Sequence, residues 1–448
     1  MKTKKTIRNI KSGAALMLTT AILATGCSAK PEVHESKTVQ GTKLSVSVNA
    51  VNAEGKNQIY MDYLKHNKAA VDIHSDQTSK GLSLMDNDLE NHRLFLTGEV
   101  HRSSFNTDVQ ISMLRYLNEK AGVRYYMSEY PFSVAQMINM YLNTGDEKYL
   151  PRITDDELRL WKWIHDFNGQ QPVEKRISFV GMDVEHDPLN GLVYLNLLLE
   201  PLQSEGNNIP NGLRPFMKAI RAYAQPQNKQ ESDRLRKGGE HMLQLVDKEL
   251  KQHLTLWEKT LDEETFFRFR MTGENLLNGA YLHTFYTTDY PRFNSEREPM
   301  MFNNFKELDK EISKKDRGAK YYGEWGLEHV YQKEHSTDGF KVTKPRIAEL
   351  INEYGSFQGK VLSIGMMYAG SKCFDMVTNK AEDIDQTLQD MTIVGPLHEG
   401  DATLYKLNAA NSPFASSVKF VDRDTGGGTL DYLQYILLIL KSPASKPL

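Results

Sequence analysis

Between Arg93 and Asp183 three short apolar runs, RLFLTG, RYYMSE and ISFVGMD, are separated by segments of helical periodicity. A strand buried on both faces reads as a continuous apolar run, and strands joined through a full helix lie parallel. The pattern therefore predicts an α/β fold with a mostly parallel central sheet flanked by helices and joined by right-handed crossovers. In the first connection Thr107 and Gln110 fit a capping box, Val109, Met113, Leu114 and Leu117 form the apolar stripe, and Gly122 stops the helix. Helical stretches near 133–142 and 154–167 fill the second connection, where the aromatics of LWKWIHDF read as packing residues.

From residue 190 to about 290 strand signals are missing. Periodic segments such as HMLQLVDKELKQHLTLWEKTL, broken by Pro210, Pro215 and Pro226, predict a large helical insertion capping the C-terminal ends of the strands. Beyond it the chain predicts a helix over 296–313 and strands at AKYYGEW, KVLSIGMMY, MTIVG, ATLYKL and SVKFV. A closing helix is expected over LDYLQYILLIL, whose apolar run is too short to span a bilayer.

In open parallel sheets ligands bind beyond the carboxyl ends of the strands. Those ends carry Gly98-Glu99-Val100-His101, then Glu129, then Asp183 with Glu185 and His186, then Gly326-Leu327-Glu328-His329. Two G-x-x-H motifs follow strands directly, and the glycine is expected to let the chain turn so that the histidine points back over the sheet. Two imidazoles and a carboxylate converging there either hold a divalent metal with an open position for water, or act directly as base and acid on water. Each residue has a plainer alternative: Glu129 caps the helix after Pro131, Arg297 pairs on the surface with Glu296 or Glu298, and His186 is a loop residue. His283 and the tyrosines of TFYTTDYPRF either pack in the core or line a pocket from the cap side.

The paired G-x-x-H motifs, the intervening Glu129 and the stretch Arg297-Glu298-Pro299-Met300-Met301-Phe302-Asn303-Asn304 together resemble the superfamily joining erythromycin esterases, ChaN-like haem-uptake lipoproteins and TraB/Tiki metalloproteases. The resemblance spans roughly residues 90–400. It implies a hydrolytic site in which His101 is the base or a metal ligand, Glu99 its neighbour, Glu129 the essential acid, Arg297 an orienting or electrophilic group and His329 the second imidazole. As metal ligands the set would be His101, Glu129 and His329, holding Mn, Co or Zn. Gly326 stands where esterases carry the first histidine of H-N-x-H, a departure that bears on macrolide-lactone cleavage and leaves hydrolysis of an ester or amide as what the resemblance implies. A second reading is a ChaN-like lipoprotein that captures haem or metal without chemistry.

The N-terminus sets the compartment. MKTKKTIRNIK is basic, GAALMLTTAILATG is a short apolar core, and Cys27 follows, an arrangement that resembles the signal and lipobox of bacterial lipoproteins. The expectation is a signal peptide over 1–26 and acylation of Cys27, holding the protein outside the cell on a membrane by its lipid. Residues 27–85 then form a tether and N-terminal extension, with one edge strand at LSVSV, and 86–448 the α/β domain. Only Cys27 and Cys373 occur, so acylation of Cys27 is expected to preclude an internal disulfide. Residues 1–26 hold five of the 55 basic and none of the 58 acidic residues, so their removal leaves a net charge near −8. That balance argues against nucleic acid as partner and leaves a small molecule or peptide as the expected substrate.

Overall fold

The computed structural model describes residues 57–151, 154–204, 209–224, 239–336, 343–384, 390–422 and 424–446. The expected signal peptide, Cys27 and LSVSV lie outside them. Eight strands form one sheet: β1 Lys68–Ala70, β2 Leu94–Glu99, β3 Tyr125–Pro131, β4 Ser178–Asp183, β5 Tyr321–Gly326, β6 Val361–Ala369, β7 Ala402–Lys406 and β8 Tyr435–Leu440. Their spatial order is β1-β7-β8-β6-β2-β5-β3-β4. The six strands from β8 to β4 run parallel, and β7 and β1 complete an antiparallel edge.

Crossovers put helices on both faces. The first is α1, Phe105–Ala121, closed by Gly122 in the left-handed conformation at φ 70°. Then α2, Phe132–Thr144, and α3, Asp155–Gln170, link β3 to β4, and Thr154 and Glu157 form a reciprocal capping box at the start of α3. The cap comprises α4 Pro188–Ser204, α5 Arg214–Ala224, α6 Gly239–Gln252, α7 Leu254–Thr260 and α8 Glu263–Tyr286. It has its own core around Leu195, Phe216, Trp257, Phe269 and Leu276. The long α9, Tyr290–Lys315, brings the chain back onto β4, where the Asn304 amide donates to the Met182 carbonyl at 2.9 Å.

Four local expectations differ from the structure. LDYLQYILLIL does not close the chain as a helix: YILLIL is strand β8, parallel to β6 and buried on both faces, so its unbroken apolar run carries no periodicity. MTIVG forms a helical turn, Met391–Val394, with Ile393 and Val394 buried. SVKFV is irregular because Phe420 adopts φ 64° and the amides of Lys419 and Phe420 bond to the side chains of Thr429 and Asp390 instead of a neighbouring strand. The Thr107–Gln110 capping box does not form; α1 begins at Phe105 and Gln110 points to β5. Residues ahead of 86 are also more than a tether, since β1 joins the sheet and Leu64, Val71, Leu82 and Met85 are buried in the main core.

Candidate active site

The sheet order sets up the site. Because β5 lies between β2 and β3, Glu99 pairs in register with Gly326 and Ser128 with Glu324, so both G-x-x-H motifs and Glu129 meet at neighbouring strand ends. The glycines serve approach rather than turning. A Cβ on Gly98 would lie 2.4 Å from Val330 and 3.0 Å from the Leu327 backbone, so Gly98 admits the turn Leu327–Val330 that carries His329. A Cβ on Gly326 would lie 3.3 Å from both the His101 Nε2 and the Glu129 Oε1. Each motif's glycine thus makes room for the other motif, and Gly326, at φ −52°, needs no left-handed backbone.

Glu129 is the centre. Its Oε1 accepts the Gly326 amide at 2.6 Å, and its Oε2 accepts an Arg297 N–H at 2.9 Å. Arg297, 1% exposed, also donates through both Nε and its second terminal nitrogen to Asp183, and Asp183 in turn holds the His186 Nε2 at 2.8 Å. His101 holds Glu99 through Nδ1 at 2.5 Å and presents Nε2 to Glu129 Oε1 at 3.9 Å. His329 presents Nε2 to Glu129 Oε2 at 3.6 Å, while its Nδ1 lies 2.7 Å from Glu298 without the alignment of a straight hydrogen bond. Glu298 is fixed by Arg346 at 3.1 Å and by the Ile347 amide at 2.9 Å. The imidazoles are 22% and 12% exposed and the Glu129 side chain only 4%, so solvent reaches the rings but barely the acid.

Electrostatics follow from this packing. Burial alone would push the Glu129 carboxyl up, but His329, Arg297, His101 and the Gly326 amide outweigh it and hold it at about 2. Burial also pulls both imidazoles down, yet Glu99 and then Glu129 lift His101 above the ordinary imidazole value, and Glu298 and Glu129 do the same for His329. Burial raises the Glu324 carboxyl well above the ordinary carboxylate range, Glu99 raises it further, and Gln110 donates to it at 2.6 Å.

All five expected site residues, His101, Glu129, His329, Arg297 and Glu99, come together. The plainer reading of Arg297 as a surface residue fails, as it is buried between two carboxylates. Asp183, which the sequence left open as an edge-of-site acid or a helix cap, pairs with Arg297 at the site, whereas Glu298, Arg346 and Glu324 were not expected there. Glu324 had a signal, a lone acid inside the apolar strand YYGEWG; Arg346 had none. A metal bound by His101, Glu129 and His329 does not fit this arrangement: the carboxylate is already committed to a guanidinium, whose charge opposes a cation, and among the described residues no cluster of three or more His, Cys, Asp or Glu is set up to ligate one. Axial haem ligation fits no better, since each free ring nitrogen faces the ionised Glu129.

The erythromycin esterase family model matches residues 119–319, from the end of α1 through the cap to the approach to β5. Over that stretch the chain is similar to the erythromycin esterase family. Solved structures share the fold at low identity. A mutant of the erythromycin esterase EreC in its open conformation is 14% identical, with 85% of this chain and 98% of that one covered and a TM-score of 0.60. A succinoglycan biosynthesis protein is 14% identical over 88% of this chain and 99% of that one, with a TM-score of 0.63. A Bacillus cereus protein is 13% identical over the same shares, with a TM-score of 0.58. No curated protein matches this chain by sequence.

Proposed function

We propose that this protein is a lipid-anchored extracytoplasmic hydrolase that activates water with His101 and cleaves an ester or amide bond. The observation that carries the reading is the pair of ring nitrogens facing one buried carboxylate, each ring backed by a second acid. Glu99 holds the proton on Nδ1 of His101, which leaves Nε2 as the acceptor. The 3.9 Å from Nε2 to Glu129 is too long for a direct bond and suits a water seated against both groups. As His101 takes a proton from that water, the oxygen adds to the acyl carbon. The bond to the leaving group then breaks, and that group takes a proton from the His329 imidazolium, which Glu298 and Glu129 favour. Arg297 keeps Glu129 ionised throughout, so the water is oriented by an anion rather than by a neutral acid. No step requires a metal.

The test is hydrolysis of a panel of p-nitrophenyl esters, lactones and anilides with chelator present. His101→Asn is expected to lower kcat/KM by roughly 10²- to 10⁴-fold. Equal rates for the variant and the native protein overturn the mechanism.

A further inference from the structure

A third apolar cluster, separate from the sheet core and the cap core, sits at the edge of the site. It is built on Val184, Leu282 and Phe293 and flanked by the half-buried Phe285, Tyr286 and Met300. Around Phe293 stand four more rings: Tyr290 stacked on it at 13° and 5.8 Å, Tyr286 edge-on at 5.1 Å, His283 at 6.0 Å and His186 at 6.3 Å. His186 ties this wall to the catalytic groups, because its Nε2 meets Asp183, Asp183 pairs with Arg297, and Arg297 with Glu129. The Tyr290 hydroxyl lies within electrostatic reach of Arg297 and Glu129, while the residue is 36% exposed.

Two features of the wall have no structural explanation. The buried Nε2 of His283 has no hydrogen-bond partner, where such atoms almost always have one. Tyr290 leaves a third of its surface in solvent beside a stack that burial would complete. A planar ring set against the exposed surface of Tyr290, extending its stack on Phe293 and carrying a polar atom toward His283, would resolve both.

We propose that Tyr286, Tyr290 and Phe293, with His186 and His283, form a subsite for an aryl group of the substrate, so that the natural substrate is an aryl ester or aryl amide. This deepens the hydrolytic reading and rests on it. The ring stacks in the subsite while the scissile carbonyl reaches the gap between His101 and Glu129.

The experiment compares 2-naphthyl acetate with methyl acetate, and separately follows 2-naphthol binding by its fluorescence, in the native protein, Tyr290→Phe and Tyr290→Ala. Loss of one stacking partner predicts a rise in KM for the naphthyl ester and in Kd for naphthol of roughly 2- to 12-fold in Tyr290→Ala. Tyr290→Phe keeps the ring and the affinity, and the preference for the naphthyl over the methyl ester falls only in Tyr290→Ala. Naphthol binding that is absent from the native protein or equal in Tyr290→Ala overturns the subsite, as does an equal loss for both esters. If the native protein hydrolyses neither ester but Tyr290→Ala still weakens naphthol binding, the hydrolytic reading fails and the aryl subsite stands.

Discussion

Replacing Arg297 with methionine tests how the buried charges are balanced. Arg297 is 1% exposed and donates to both Glu129 and Asp183, so methionine fills similar volume and leaves two buried carboxylates without their cation. Breaking a buried ion pair from one side costs about 3–5 kcal/mol. The structure gives an independent scale. Glu129 moves from its ordinary 4.5 to about 2, and at about 1.36 kcal/mol per pH unit that is on the order of 3 kcal/mol, shared among Arg297, the two imidazoles and the Gly326 amide. A folded region of about 390 residues unfolds with an entropy near 0.8 kcal/mol/K, so a cost of about 4 kcal/mol lowers Tm by about 5 °C. The sign with pH follows from linkage: a carboxyl whose pKa is depressed on folding adds stability above its unfolded pKa and loses it as pH falls through the folded one. Differential scanning calorimetry at pH 7 is expected to show the full loss for Arg297→Met, with the gap from the native protein closing between about pH 5 and pH 2. A variant whose Tm at pH 7 lies within about 1 °C of the native value, or whose deficit grows on acidification, refutes the account.

Gly326→Ala places a methyl 3.3 Å from His101 Nε2 and Glu129 Oε1, so it is expected to cut esterase kcat/KM at least tenfold while Tm moves little, as read by kinetics beside thermal melts. Glu99→Gln removes the strongest influence lifting the His101 pKa; the acidic limb of the kcat/KM profile, expected above the ordinary imidazole range, moves to lower pH as the rate falls, and an unmoved limb assigns it to another group. Cys27→Ser abolishes the expected acylation site, so the protein should leave the detergent phase in a Triton X-114 partition and appear in the medium.

Six of the eight sheet strands, the helical cap and the side chains that gather at the candidate site were legible in the sequence. Runs that are mostly apolar and end at Glu99, Glu129, Asp183 and Gly326 were legible because a strand buried on both faces admits few polar residues, so a cluster of them marks the open edge of the sheet. Where an apolar run also lacked length or caps, as in YILLIL, helix and strand could not be told apart, because a segment buried on all sides shows no period. The insertion of β5 between β2 and β3, which brings His101, His329 and Glu129 together, could not be read from any local segment. Strand order is set by how whole surfaces pack, not by local composition. The same holds for the partners of the site: Arg346 and Asp183 acquire their roles through contacts across the fold, and the two glycines are needed for a close approach between segments that no local pattern could foretell.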